Sequence, residues 1–179
     1  MTIEIAYTQH CGNNPSQQDA LWAGTRVFQE KSLAPAVRMV DSTTRICIAV
    51  ADGVASSPQP QKASRCVLEL LSTEMAADKH FDGRLLRRIH GCLCDSLAKG
   101  KTFGASTTLV AAQYDQGQTL ILSVGDSRAY HLSAGGSHLE KLMNPQLDAL
   151  VQTTALRDAV LAAGAPDNFS MLLLKVNSL

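Results

Sequence analysis

Residues 45–53 read RICIAVADG, an almost purely apolar run that ends at Asp52 and Gly53. Apolar side chains at successive positions face both sides of a strand, so the run predicts a central strand covered on both faces. An Asp-Gly pair commonly forms a turn. After a buried strand, however, a bare carboxylate is costly unless a cation or hydrogen-bond donors compensate it. Asp52 is therefore a candidate functional residue, and Gly53 would let its backbone carbonyl approach a ligand closely.

Other strand patterns occur on both sides of this central run. They mix β-branched and apolar residues and are bounded by Gly, Asn, Asp and Pro, which is typical of strands joined by turns. Loops are predicted at 13–16 and 31–35, and turns at 115–117 and 134–137. The predicted strands cover residues 2–8, 20–29, 35–41, 45–51, 105–114, 119–124, 128–133 and 169–176.

Three segments have apolar residues at spacings of three and four, which indicates amphipathic helices. The first covers residues 61–79, and the third covers 147–163 and stops at Gly164. The second follows Gly83, with an inner stripe formed by Leu86, Ile89, Leu93 and Leu97. Strands, two helices, further strands, a helix and a last strand form an α+β pattern in which helices cover mainly antiparallel sheet. The length of 179 residues predicts a single domain over 1–179.

Charge and cysteine content narrow the class of protein. Sixteen Lys and Arg balance sixteen Asp and Glu, so no overall field favours nucleic acid or an anionic membrane. The five cysteines are an odd number, and most lie in apolar patterns, which favours a reducing compartment. The N-terminal residues lack the pattern of an export signal, and no apolar run is long enough to cross a bilayer. We therefore expect a soluble, cytoplasmic protein.

Two short motifs imitate known sites. Cys92 and Cys94 lie in a helical pattern, where a spacing of two turns the side chains to different faces, so they do not predict a zinc site. Residues 100–102 read GKT, like the end of a phosphate-binding P-loop. The glycine that such a loop requires five residues earlier is Asp95, and a helix rather than a strand precedes it. Neither motif predicts a binding site.

Three further acids have surroundings like those of Asp52. Asp126 follows the apolar run ILSVG, Asp167 lies in GAPDN directly before the last predicted strand, and Asp19 precedes the second strand. Hard divalent cations such as Mg²⁺ and Mn²⁺ select oxygen ligands. Several carboxylates at the ends of strands in one sheet are therefore a candidate metal site.

Four segments, in this order, carry a family resemblance: VADGVA, FGASTTLVAA, LSVGDSRAYHL and GAPDNFSMLLLKV. Together they resemble the metal-dependent protein phosphatases of the PPM (type 2C) family, including its short bacterial members. The resemblance runs from about Gln18 to Val176. It implies a four-layer α-β-β-α sandwich of two mainly antiparallel sheets. It also implies a site for two Mn²⁺ or Mg²⁺ ions that activates water to hydrolyse phosphoserine or phosphothreonine in a protein substrate.

The resemblance also implies roles for individual residues. Asp52 corresponds to the carboxylate that bridges the two metals, and Gly53 to the residue that lends its carbonyl to one of them. Asp167 resembles the metal ligand of the family's Asp-Asn motif. Asp19 resembles the acid that acts on the attacking water and belongs to the metal site. Asp126 and Arg128 match a motif that is largely structural in the family.

The chain departs from the family pattern in three places. The family's phosphate-binding Arg has no counterpart, because its place falls near Asn14. The residues after Asp52-Gly53 are Val54, Ala55 and Ser56 instead of His-Gly-Gly or Gly-Gly. The later Ser-Asp-Gly segment and the flap have no counterpart between residues 132 and 147, which predicts that one metal is weakly held or absent. Two functions therefore stay open: a metal-dependent protein phosphatase, and a weakly active or inactive phosphatase-like domain that binds a phosphoprotein.

Overall fold

The computed structural model describes residues 2–77, 80–131 and 147–177. Three α-helices and eight strands are formed in this part of the chain, together with a short 3₁₀ helix at Gly100–Thr102. In chain order they are β1 (Thr2–His10), β2 (Asp19–Trp22), β3 (Val27–Phe28), β4 (Ser32–Asp41), β5 (Ile46–Asp52), α1 (Pro60–Ala76), α2 (Gly83–Leu97), β6 (Leu109–Asp115), β7 (Gln118–Val124), α3 (Ala149–Ala162) and β8 (Phe169–Asn177).

The strands form two antiparallel sheets. One has the order β4-β1-β8, and the other has the order β3-β2-β5-β6-β7. Helices α1 and α2 pack on the five-stranded sheet, and α3 packs on the three-stranded sheet. The described residues therefore form an α+β sandwich with helices outside two sheets, as the sequence predicts.

The central strand β5 has apolar residues on both faces because each face covers a different core. Cys47, Ala49 and Ala51 belong to the core between the five-stranded sheet and helices α1 and α2. Ile46 and Ile48 belong to the core between the two sheets. The prediction of a strand buried on both faces is therefore confirmed, and β5 lies in the middle of its sheet.

The predicted turn at 115–117 joins β6 and β7. Asp115 pairs with Gln118, so only Gln116 and Gly117 form the loop. Both have positive φ, at 48° and 84°. A two-residue loop with positive φ at both positions is the type I′ turn, whose twist matches that of the two strands.

Two strand predictions are wrong in detail because local turns interrupt them. Residues 20–29 form the separate strands β2 and β3, since Gly24 adopts a φ of 83° and turns the chain between them. Residues 128–131 are not a strand, because Gly125, at a φ of 99°, turns the chain out of β7. Residues 132 and 133 of that prediction, and the turn at 134–137, lie outside the described residues.

One predicted loop is a strand instead. Residues 32–35 belong to β4, although Pro35 was expected to mark a connection. β4 is the edge of its sheet, where a proline need not donate a hydrogen bond to a neighbour. The loop at 13–16 is formed as expected.

The three predicted helices are present with small shifts. α1 ends at Ala76 and α3 runs from Ala149 to Ala162. In α2 the buried stripe contains Leu85, while Leu86 and Leu93 are only partly buried against the same core. None of the described helices is long and apolar enough to cross a membrane.

Glu4 on β1 supplies the cap that α3 lacks from its own sequence. Asp148 precedes the helix but makes no side-chain capping bond. Glu4 is 7% exposed, and its Oε2 accepts a 2.7 Å hydrogen bond from the Ala149 amide. Its Oε1 accepts a 2.8 Å bond from Asn177 Nδ2. The Asn177 bond, followed by the Ala149 bond, holds the pKa of Glu4 below its usual value despite burial.

We expect Glu4→Gln to lower the free energy of unfolding by about 1–3 kcal/mol at pH 7, because Gln cannot accept both bonds. A carboxyl with a lowered folded pKa stabilises above its unfolded pKa, near 4.5, and loses that effect as pH falls through the folded value. The difference between wild type and Glu4→Gln should therefore shrink below about pH 4.5 in urea titrations. Glu69→Gln, which breaks only an exposed pair with Arg65, is the control. An equal loss in both variants would contradict the capping role.

Candidate metal centre

The side chains that face the space between the two sheets become polar at one end of the sandwich. On β5, Val50 packs between the sheets, and the next residue on that face is Asp52. On β2, Leu21 is followed toward the same end by Asp19. Asp19 and Asp52 are direct cross-strand partners. The register of two antiparallel strands therefore brings the two predicted carboxylates together.

These two acids carry unfavourable electrostatics. Asp19 is 6% exposed, and burial, together with the nearby charges of Asp52 and Asp167, raises its pKa to about 7 despite a bond from Ser170. Burial, then the charges of Asp167 and Asp126, raises the pKa of Asp52, while a hydrogen bond with Asp19 opposes this. Among the described residues, neither acid forms an ion pair. The carboxylates therefore lack a compensating cation within that part of the chain.

Asp19 is held by a buried hydrogen-bond network that crosses from one sheet to the other. Ser170 Oγ on β8 donates a 2.9 Å bond to Asp19 Oδ2. Gln9 Nε2 on β1 donates to Ser170 Oγ at 2.9 Å and to the Asp19 carbonyl at 3.2 Å. Gln9 Oε1 accepts from the Glu30 amide at 2.9 Å, which fixes the orientation of the Gln9 amide. Because Gln9 donates to the Ser170 hydroxyl oxygen, the hydroxyl hydrogen is directed to Asp19. This bond fixes the position of Asp19 Oδ2.

The backbone of Asp52 is fixed by the segment before β6. The Asp52 carbonyl accepts bonds from Thr107 Oγ1 at 2.9 Å and from the Thr108 amide at 2.8 Å. The Asp52 amide donates to Thr108 Oγ1 at 3.0 Å. Thr108 Oγ1 also lies 2.6 Å from Ser127 Oγ. Thr107 and Thr108 therefore hold the backbone of Asp52, and Ser127 of the Gly-Asp-Ser segment contacts Thr108.

Gly53 occupies a position where a side chain would not fit. A Cβ there would lie 2.4 Å from the Pro60 carbonyl oxygen and 2.9 Å from that of Gln18. The Gly53 amide donates to the Gln18 carbonyl at 3.2 Å. Within the described residues, the Gly53 carbonyl oxygen accepts no hydrogen bond and stays available to a ligand. Close packing of the backbone is thus a reason for glycine here that the sequence did not reveal.

Asp167 lies two residues before the start of β8, and its charge acts on Asp19 and Asp52 at the same end of the sandwich. Its neighbour Asn168 connects this turn to the loop after β1. Asn168 Oδ1 accepts from the Gln18 amide at 2.9 Å, and Asn168 Nδ2 donates to the carbonyls of Cys11 and Ser16 at 2.9 and 3.1 Å. The Asp-Asn motif therefore positions Asp167 and also fixes the chain that leads into Asp19.

Asn14 contacts Asp167 directly. Its Nδ2 donates a 2.8 Å hydrogen bond to Asp167 Oδ1, which also accepts the Asn168 amide at 2.7 Å. Asn14 stands near the place of the expected phosphate-binding Arg. Its amide is therefore engaged with a candidate metal ligand.

The donor atoms of this end of the sandwich suit a hard cation. They are carboxylate and carbonyl oxygens, and the negative charges are uncompensated by ion pairs in the described residues. No group of three or more His, Cys, Asp or Glu side chains within those residues is close enough to hold an ion as it stands. Asp19 and Asp52 form a contacting pair, and Asp167 interacts with them electrostatically. The residues present thus fit a Mg²⁺ or Mn²⁺ ion in chemical type.

Comparison with known proteins agrees with this architecture. The fold is an α+β sandwich of two antiparallel sheets with Asp19, Asp52 and Asp167 gathered at one end. The family described as protein phosphatase 2C matches residues 8–163 of the chain. The chain therefore belongs to the protein phosphatase 2C family. No curated protein and no solved structure matches it significantly.

Sequence reasoning did not identify Gln9 or Ser170, and it assigned no role to Asn168 of the Asp-Asn motif. A signal for the first two was present, because the alternation Ile3, Ile5, Tyr7 on β1 places Gln9 on the face between the sheets. The alternation Leu174, Leu172 on β8 places Ser170 there as well. A polar residue at the end of an inward-facing apolar row indicates a buried polar network.

Proposed function

We propose that this chain is a Mn²⁺- or Mg²⁺-dependent phosphatase acting on phosphoserine or phosphothreonine in proteins. In this proposal the carboxylates of Asp52 and Asp167 and the Gly53 carbonyl hold metal. The observation that carries it is the direct cross-strand pairing of Asp19 with Asp52, next to Asp167, in a member of the protein phosphatase 2C family.

Neighbouring carboxylates of like charge at one end of a sandwich destabilise the fold unless a bound ligand compensates their charge. Burial raises the pKa values of Asp19 and Asp52, and so do nearby charges: those of Asp52 and Asp167 for Asp19, and those of Asp167 and Asp126 for Asp52. Hydrogen bonds fix the buried Asp19 carboxylate and the Asp52 backbone, while the Asp52 side chain stays exposed at the end of β5. Neighbouring carboxylates with this electrostatic cost are expected to have a function, such as binding a cation.

When bound, a divalent cation supplies charge that neutralises phosphoryl oxygens and lowers the pKa of water. The chain's own residues then have separate roles. Asp52, whose backbone is clamped by Thr107 and Thr108, keeps its carboxylate at the end of β5. Asp19, oriented by Ser170, has one oxygen fixed and is the group that accepts or holds a proton of the attacking water. We place the reaction in the cytoplasm, since all five cysteines are free.

A second function is favoured by two observations. Asn14 is engaged with Asp167 near the place where a phosphate-binding Arg is expected, and the described acids form no compact group of three. A phosphatase-like domain with weak or no activity that binds a phosphoprotein is the alternative consistent with both.

Turnover with and without metal separates the two functions. We expect the purified protein to hydrolyse a phosphoserine peptide and an aryl phosphate when Mn²⁺ is added, and to stop when a chelator removes it. Binding of the phosphopeptide without release of phosphate, at any Mn²⁺ or Mg²⁺ concentration, would refute the phosphatase and support the binding domain.

A further inference from the structure

The loop that carries Asn14 is held in a single arrangement against the turn before β8. Gly12 has a φ of 58°, and a Cβ there would lie 2.1 Å from the Asp167 carbonyl oxygen, so the two segments are in backbone contact. The Gly12 amide donates to His10 Nδ1 at 2.9 Å, and the Asn13 amide to the Ala165 carbonyl at 3.0 Å. The Asn14 amide donates to the Cys11 carbonyl at 3.0 Å. The side chain of Asn14 therefore starts from a fixed backbone.

The hydrogen bonds to Asp167 distinguish its two oxygens. Oδ1 accepts from Asn14 Nδ2 and from the Asn168 amide, at 2.8 and 2.7 Å. Within the described residues, Oδ2 accepts no hydrogen bond. Two donors on one oxygen hold the carboxylate plane and leave the other oxygen free for a ligand. This is the arrangement in which an outer residue orients a metal ligand.

We propose that Asn14 is a positioning residue for the metal ligand Asp167 and does not contact the substrate phosphate. This rests on the proposed metal site and adds to it a residue that the chain uses to orient one ligand. An Asn side chain has two amide hydrogens and one oxygen, and the amide faces Asp167. In this proposal the phosphate is held by the metal and by groups other than Asn14.

The two roles of Asn14 give opposite results for metal affinity and substrate affinity. A positioning residue affects the dissociation constant for Mn²⁺, whereas a phosphate contact affects KM at saturating Mn²⁺. The test is calorimetric titration of the full chain with Mn²⁺ alone, followed by kinetics with an aryl phosphate at saturating Mn²⁺. The variants are Asn14→Ala and the similarly sized Asn14→Leu, which both lack the amide.

Asn13→Ala is the matched control. Asn13 Nδ2 donates a 3.0 Å bond to the Gly164 carbonyl, so this variant loses a hydrogen bond to the same turn without affecting the Asp167 carboxylate. We expect both Asn14 variants to bind Mn²⁺ about tenfold more weakly than wild type or Asn13→Ala. At saturating Mn²⁺ we expect their KM to stay within about twofold of wild type. Thermal unfolding in chelator should be similar for Asn14→Ala and Asn13→Ala.

Three results decide the proposal. Mn²⁺ affinity unchanged in both Asn14 variants, with or without a raised KM, overturns the positioning role. If the wild-type protein binds Mn²⁺ but shows no phosphatase activity, and the Asn14 variants bind Mn²⁺ more weakly than wild type, Asn14 remains a positioning residue. Only the proposed reaction is then refuted. A wild-type protein that binds no Mn²⁺ would refute both.

Discussion

Asp52→Asn should reduce Mn²⁺-dependent phosphate release by about a hundredfold or more, since losing a ligand is expected to cost at least as much as losing an outer partner. Asn keeps the size of the side chain and removes the charge that holds the cation. The backbone bonds from Thr107 and Thr108 to Asp52 do not involve the carboxylate and should persist. Initial rates with an aryl phosphate over a range of Mn²⁺ concentrations measure the effect.

The same variant should not destabilise the metal-free fold. A carboxyl whose pKa is raised on folding favours the unfolded chain once it ionises, so stability falls as pH rises through its unfolded and then its folded pKa. Asp52→Asn removes this penalty, and its unfolding temperature in chelator should equal or exceed that of wild type at pH 7. Asp95→Asn, an exposed charge change on α2, is the control for net charge. Full activity in Asp52→Asn would exclude Asp52 as a metal ligand.

Gly53→Ala is expected to lower the free energy of unfolding by about 1–3 kcal/mol, because an added methyl group in a close-packed site forces the surroundings to move. The atoms it would meet are backbone oxygens of Pro60 and Gln18, at 2.4 and 2.9 Å, which cannot rotate away. The required shift lies between Asp52 and the start of α1, so activity should fall together with stability. Urea titration and the Mn²⁺-dependent assay measure the two effects.

Gly91→Ala is the matched control for this substitution. Gly91 lies inside α2, and a Cβ there would meet nothing within 4 Å. Replacing an interior helical glycine by alanine typically stabilises by about 0.5–1 kcal/mol. Wild-type stability in Gly53→Ala would show that the contact between Gly53 and Pro60 relaxes freely, which contradicts the close packing.

Much of the fold could be predicted from the pattern of apolar residues. The strand β5 was predictable because both of its faces are buried, and the β6–β7 hairpin because Gln116-Gly117 follows a run of alternating strand residues. The division of residues 20–29 into two strands was not, because β-branched and apolar residues continue past Gly24 and conceal the turn. The inclusion of Pro35 in β4 depends on that strand being at an edge, which only the sheet order reveals.

The acids of the candidate site could be predicted, but their surroundings could not. Asp19, Asp52 and Asp167 each stand at the end of an apolar run, which is visible locally. Their partners are remote in sequence: Ser170 reaches Asp19 across 151 positions, and Asn14 reaches Asp167 across 153. Such pairs depend on strand register and on the contact between the two sheets. Hydrophobic periodicity specifies neither to the accuracy of a hydrogen bond.

The central claim is that the acids at this end of the sandwich hold a divalent cation. The most direct measurement is a crystal structure of the wild-type protein soaked in Mn²⁺, with the ions located by their anomalous scattering. We predict at least one Mn²⁺ ion bound by oxygens of Asp52 and Asp167, with Asn14 still donating to Asp167 Oδ1. A fully soaked crystal with no Mn²⁺ between Asp52 and Asp167 would contradict the account.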